Sequence, residues 1–248
     1  TPAVDYTNIG GGWYNYIGGY QSTIAGGTYN RIYGDNGFIG GGQSQYIYAT
    51  GGTIAGGHNC WVYAYFGTVS GGMYNSATGY AATIGGGWYN RAVGTYATVG
   101  GGIYDSAYVA GSTIGGGNGN RIYGEHGTVV GGLQNCVYGT YGTIGGGTYN
   151  RVFEDFASIG GGYWNTADGY ANYVGGGYYG HSTADYGTIV GGYNMNLGGE
   201  GTVVAGAYAG AYGYWSSIGG GQSTWVYAPI TTVAGGHNHY AYAYGATI

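Results

Sequence analysis

Four arginines and nine acidic residues carry every formal charge in this chain of 248 residues, so their spacing is the first place to look for chemistry. Arg31, Arg121 and Arg151 are each followed four residues on by an acid, Asp35, Glu125 and Asp155; Arg91 is not. A guanidinium column could hold an anion. A cation and an acid at one fixed short spacing read more simply as exposed ion pairs, each worth about 0–1 kcal/mol. Glu154 and Asp155 are the one adjacent acid pair, and no partner makes them a catalytic dyad. His58, His126 and His181 are isolated, and His237-X-His239 lacks the third ligand that a zinc site needs. The many Gly-Gly-Gly runs are not followed by Lys-Ser/Thr, so they are not phosphate loops. No Ser/His/Asp or Cys/His set can be assembled. The expectation is a protein that is not an enzyme and uses no cofactor or metal.

What positions these residues is a repeat. From Ile9 a step of fifteen reaches Ile24, Ile39, Ile54, Val69, Ile84, Val99, Ile114, Val129, Ile144, Ile159, Val174 and Ile189 without a slip. One step of fourteen then reaches Val203, making 189–202 a short unit, and fifteens resume through Ile218 and Val233 to Ile248. A fixed period of this length marks an array in which each unit packs on its neighbours. The chain therefore reads as a single repeat domain over 1–248: a partial coil 1–8, coils from 9 to 247, and no capping unit.

Numbering each unit from its Ile/Val assigns the positions. Position 1 and the mostly aliphatic position 9 form two inward columns, hence two short strands per coil. Position 15 is usually threonine, facing out beside them. Position 4 is always glycine, as at Gly12, Gly27, Gly42, Gly87 and Gly147, which implies positive φ or close backbone approach at a corner. Asparagine dominates position 7, where it would take left-handed geometry at a corner and hydrogen-bond to its copy one coil away. All four arginines fall at position 8. The fold expected is all-β, a parallel β-solenoid (β-roll or β-helix) of about sixteen 15-residue coils rising ~4.8 Å each. Cys60 and Cys136, five coils or ~24 Å apart by that rise, are then too distant for an intrachain disulfide.

Composition narrows the classes further. Glycine contributes 64 residues without collagen's every-third spacing, and there are two prolines. Glycine at this density excludes long helices, and no apolar run approaches the ~20 residues of a membrane span. A net charge of −5 with no lysine weighs against a nucleic-acid partner. Tyrosine contributes 34 residues, many in columns at position 10: Tyr33, Tyr48, Tyr63; Tyr108, Tyr123, Tyr138; and Tyr212, Tyr227, Tyr242. A thin coil cannot bury them all, so an aromatic contact surface is expected.

Ile159-Gly160 followed by Asn165-Thr166-Ala167-Asp168-Gly169 resembles the head repeats of YadA-like trimeric autotransporter adhesins, whose unit is a residue shorter. The resemblance implies a parallel β-roll of three chains at a bacterial surface, binding host matrix or other cells. The residues themselves point first to a non-enzymatic extracellular structural subunit that self-associates end to end into a fibre. The alternative is an adhesin head or phage fibre segment, binding a glycan or cell-surface protein through the tyrosine columns. An ice-binding solenoid ranks third, because position 15 supplies only one threonine column.

Overall fold

The computed structural model describes residues 6–248, and among them every regular element is a strand. The chain is a parallel β-solenoid of about sixteen turns. It divides into two compact units, Thr1–Ile122 and Tyr123–Ile248. The start of the partial coil expected over 1–8, including Asp5, lies outside the described residues.

In the first unit the β-branched residues of positions 15 and 1 make one short strand per turn, as their strand preference dictates. Thr83–Ile84 pairs in register with Thr68–Val69 on one side and Thr98–Val99 on the other. Positions 8 and 9 make the second strand: Arg91–Ala92 lies between Ser76–Ala77 and Ser106–Ala107. A third ladder, one residue per turn, runs through position 5 from Trp13 to Asn118. The sequence reading did not include it, because position 5 has no consistent hydrophobic type.

Ile24, Ile39, Ile54, Val69, Ile84, Val99 and Ile114 are fully buried, as are Ile32, Ile47, Val62, Ala77, Ala92, Ala107 and Ile122 at position 9. Ile9, expected to open this core, is instead 46% exposed, since its strand is paired on one side only, to Thr23–Ile24. Two polar or small columns complete the interior. Position 14 carries Ser22, Ala82, Ala97 and Ser112, all buried. Position 7 carries Asn30, Asn75, Asn90 and Asn120, also fully buried.

Asparagine therefore does not take the left-handed corner expected of it. The residue before it does: Tyr14, Tyr29, Tyr74, Tyr89 and Tyr104 at position 6 have φ of 54–60°. Position 13 repeats the device with Phe66 and Tyr96 at φ 59° and 57°. The asparagine side chain is needed inside. Asn90 Nδ2 donates to the carbonyls of Gly86 (2.8 Å) and Gly102 (2.9 Å), while its Oδ1 accepts the Asp105 N–H at 2.9 Å. One side chain thus bonds three backbone groups of the tight turn, two of which, the Gly86 carbonyl and the Asp105 N–H, no ladder reaches; the Gly102 carbonyl also accepts the Trp88 N–H.

The corner glycines differ sharply between neighbours. Gly27 has φ +93°, and a Cβ there would meet the Gly42 carbonyl oxygen and Asn30 Nδ2; around Gly26 a Cβ would meet nothing within 4 Å. Gly27→Ala is expected to cost well over 3 kcal/mol, from left-handed strain added to backbone overlap. Gly26→Ala should change stability by less than about 1 kcal/mol. Denaturant midpoints check both, and similar losses at the two positions would contradict the close approach.

The second unit keeps the same ladders, with Val129, Ile144, Ile159, Val174 and Ile189 in the buried position-1 column. Here the expected short unit is displaced. Ile189 pairs with Val204, not Val203; Val204 is buried and Val203 is 40% exposed. The register then shifts between Ile189 and Gly191, so that Gly191 pairs with Ala205 and Asn196 with Gly210. The missing residue belongs to position 2 of the turn beginning at Val204, and Val190, exposed opposite it, has no counterpart. Both valines suit position 1 by type, which is why the sequence alone placed the step one residue early.

A second irregularity resolves into a pair. Ser182 breaks the aliphatic position-9 column, and Asn172 breaks the small position-14 column one turn earlier. Asn172 Nδ2 donates to Ser182 Oγ at 2.6 Å and to the Ala184 carbonyl at 2.9 Å. The smaller side chain makes room for the larger one, and both are buried.

Candidate functional site

The residues with catalytic or ligating chemistry are dispersed. His237 is exposed and His239 half-buried, and among the described residues no three His, Cys, Asp or Glu side chains come together as a metal site. Neither cysteine is in a disulfide. Cys60 is buried at position 7 with Sγ 3.6 Å from the Gly72 carbonyl oxygen, and burial pushes its pKa up. Cys136 is half-buried at position 8 of the second unit.

Two of the three acids expected to pair with arginines bond elsewhere. Asp35 Oδ1 accepts the Tyr20 N–H at 2.7 Å, and Asp155 Oδ1 accepts the Thr140 N–H at 2.7 Å. Asp185 does the same for Tyr170 at 2.9 Å. A position-12 acid therefore caps the position-12 N–H of the preceding turn, a backbone role that the four-residue spacing from arginine concealed. Arg31 donates to the Tyr33 hydroxyl at 3.4 Å and lies 6.0 Å from the Tyr46 ring centre. Arg121 and Glu125 are both exposed.

One carboxyl group lies deep inside the first unit. Asp105 occupies position 7, fully buried, with Oδ1 accepting the Asn120 N–H at 2.7 Å and Asn120 Nδ2 at 3.0 Å. Its Oδ2 has no hydrogen-bond partner. Desolvation raises its pKa to about 6 against the opposing pull of the Asn120 hydrogen bonds.

The outer surface is built from stacked rings. Tyr33, Tyr48 and Tyr63 stack at 5.3 Å and 4.8 Å between centroids, within 12° of parallel. In the second unit Tyr123, Tyr138 and Phe153 stack at 5.2 Å and 5.0 Å, and Tyr212, Tyr227 and Tyr242 at 5.6 Å and 5.1 Å. Tyr108, the remaining member of the position-10 set, is half-buried. Position 6 adds columns the sequence did not order: Tyr74, Tyr89 and Tyr104 stack at 4.6 Å and 5.3 Å. Their left-handed backbone costs about 1–2 kcal/mol per residue. Each ring pair returns about 0.5–1.5 kcal/mol, and because three rings share two pairs, stacking recovers part of that strain. Packing among the rings also raises the pKa of Tyr48, chiefly by desolvation.

The ridges at positions 6 and 10 enclose recesses, one of about 330 Å³ over Tyr16 and Arg31 and two over small position-8 residues. In the first unit, Ser76 and Thr78 lie between Trp61, Tyr63, Tyr74, Tyr89, Arg91 and Val93 around a volume of about 520 Å³. A second recess of about 290 Å³ lies over Ser106, between Tyr89, Tyr104 and Tyr108, with Arg91 and Arg121 at its rim. Fold and surface together define a parallel β-solenoid with an aromatic exterior. No protein-family model and no curated protein matches the sequence.

Proposed function

We propose that the chain is a non-enzymatic extracellular structural protein, a Gly/Tyr-rich solenoid subunit that self-associates, end to end, into a fibre. The observation that carries this is the identity of the turns within each unit. Apart from the turn beginning at Val204, successive turns present the same in-register strand rows. A row of this kind accepts a further coil whichever molecule supplies it. The extracellular setting rests on the resemblance of the repeat to YadA-like adhesin heads. Among the described residues no helix is long and apolar enough to cross a membrane. The expected result is scattering that grows with concentration, fibres by negative-stain microscopy, and a meridional reflection near ~4.8 Å. A chain that stays dispersed and monomeric at high concentration sinks the reading.

A second reading, a trimeric adhesin head or phage fibre segment that binds a surface glycan or protein, is favoured by the ring-walled recesses and by exposed side chains such as Trp13 (72%) and Trp215 (65%). Sedimentation equilibrium at the mass of three chains would support the trimer it implies; a single-chain mass would remove it.

A further inference from the structure

We propose that the position-8 face of the first unit binds a linear acidic polysaccharide, with Arg91 as the carboxylate ligand shared by two ring-walled recesses. The inference deepens the surface-binding reading and rests on it.

Charge and spacing carry the argument. Residues 1–122 hold three arginines against three acids, while 123–248 hold one arginine against six, so the whole net charge of −5 belongs to the second unit. Of the first unit's acids, Asp105 is buried, and Asp35 is committed to the Tyr20 N–H. Among its described residues no acid stands at positions 6, 8 or 10. This face therefore presents cations alone, and the exposed Arg91 guanidinium is held by no hydrogen bond or ion pair.

Position 8 then alternates: Ser76, Arg91, Ser106, Arg121. The serines open recesses two turns apart, and the arginines stand between and beyond them. Two strand spacings are about 9–10 Å, close to the advance of one disaccharide along an extended polysaccharide. Each recess offers what a sugar ring needs. Tyrosine and tryptophan rings supply apolar walls for its C–H faces, and in the first recess the Ser76 and Thr78 hydroxyls have no partner within the protein. Its volume of about 520 Å³ lies within the usual range of small-ligand pockets. A guanidinium recognises a carboxylate through two parallel N–H donors, so a chain with one carboxylate per disaccharide would place an acid at each arginine while its rings fill the recesses.

The test is titration calorimetry on the full chain with a glucuronate-containing octasaccharide of hyaluronan, with cellohexaose as neutral comparison and dextran sulfate as a charge-only comparison. The expected result is saturable binding of the octasaccharide, at least ten-fold tighter than cellohexaose. Arg91→Gln should weaken it about ten-fold, the loss of one charge-assisted contact. Ser76→Trp, which fills the first recess and leaves the arginines in place, should weaken it comparably. Unchanged far-ultraviolet spectra and melting temperatures establish that both variants fold. The proposal is overturned if Arg91→Gln binds as wild type, if cellohexaose or dextran sulfate binds as tightly as the octasaccharide, or if nothing binds. Equal binding of the neutral sugar removes the anion site but leaves a glycan-binding surface, whereas no binding of any sugar removes both.

Discussion

Replacing Asn150 by alanine is expected to destabilise the second unit by on the order of 4–5 kcal/mol, a loss normally confined to gross damage in a core. Asn150 is fully buried, donates to the Gly146 carbonyl at 2.9 Å and the Gly162 carbonyl at 3.1 Å, and accepts the Asn165 N–H at 3.0 Å. Alanine removes all three bonds and leaves the Gly146 carbonyl and the Asn165 N–H without partners, while the Gly162 carbonyl keeps the Thr148 N–H at 2.9 Å. Each orphaned group costs about 1–3 kcal/mol. Adjacent turns share these groups, so the effect should spread to the next turn. Hydrogen exchange will show it as lost protection at the Asn165 amide, and urea denaturation as a lower midpoint. The exposed Arg151→Ala, one residue on, is the comparison. Equal losses from the two variants would mean that the asparagine column is not a structural rung.

The solenoid was legible because one feature recurs in nearly every turn: a β-branched residue at position 1, fifteen residues from the last, as at Ile84 and Val99. A one-residue slip within a strand would turn a core side chain outward, so the one slip, at the turn beginning at Val204, falls beside a corner. Gly27 was legible for a related reason, since a position filled by glycine alone has few physical explanations. The asparagine column was visible as a pattern, and its hydrogen bond to the copy one turn away holds, as from the Asn90 N–H to Asn75 Oδ1; its backbone geometry was misread. Asparagine tolerates left-handed backbone, but the sequence does not show that Tyr29, a residue seldom placed there, takes that conformation while Asn30 turns in to bond Gly26 and Gly42.

The surface was less legible than the core. Position-10 tyrosines announce a column by recurring in runs. Two of the recesses lie over small residues, Ser76 and Ser106, between aromatic ridges, and nothing in a one-dimensional reading marks a gap as a feature. The arginine–acid spacing misled for the opposite reason. Four residues is a meaningful separation on a helix. In this coil it joins positions 8 and 12, and the acids at 35 and 155 lie closer to a backbone N–H of the preceding turn. Ser182 and Asn172 show the same limit: each is an exception within its own column, and only their contact across the interior explains both.

Asp105→Asn should make the first unit more stable at neutral pH and remove a pH dependence that the wild-type chain carries. Asp105 stands where its neighbours Asn90 and Asn120 stand, and its Oδ2 occupies the place of their Nδ2. In those rungs that atom donates to the position-3 carbonyl of its own turn and, at Asn90, to the position-4 carbonyl of the next. By position, the Asp105 counterparts are the carbonyls of Gly101 and Gly117. An ionised carboxylate offers them no proton and sets oxygen against oxygen; its Oδ2 is left unpaired. Protonation restores one donor. Burial accordingly raises the pKa from 3.8 to about 6 in the folded chain. A raised acid pKa means the folded state holds the proton more tightly, so stability is fully present below about pH 4 and is lost as pH rises through about 6. The loss is on the order of 2–3 kcal/mol. Asparagine supplies both donors at every pH. The variant should therefore exceed wild type by about that amount at pH 8, and the gap should narrow toward pH 4. Urea midpoints across this range measure it. A gap independent of pH, or a wild-type chain more stable at pH 8 than its Asp105→Asn variant, would show that the carboxylate is held by something other than the rung. The same logic makes Asn150→Asp a transplant of the defect: it should be milder than Asn150→Ala at pH 4 and should lose stability with rising pH in the sense that Asp105 does.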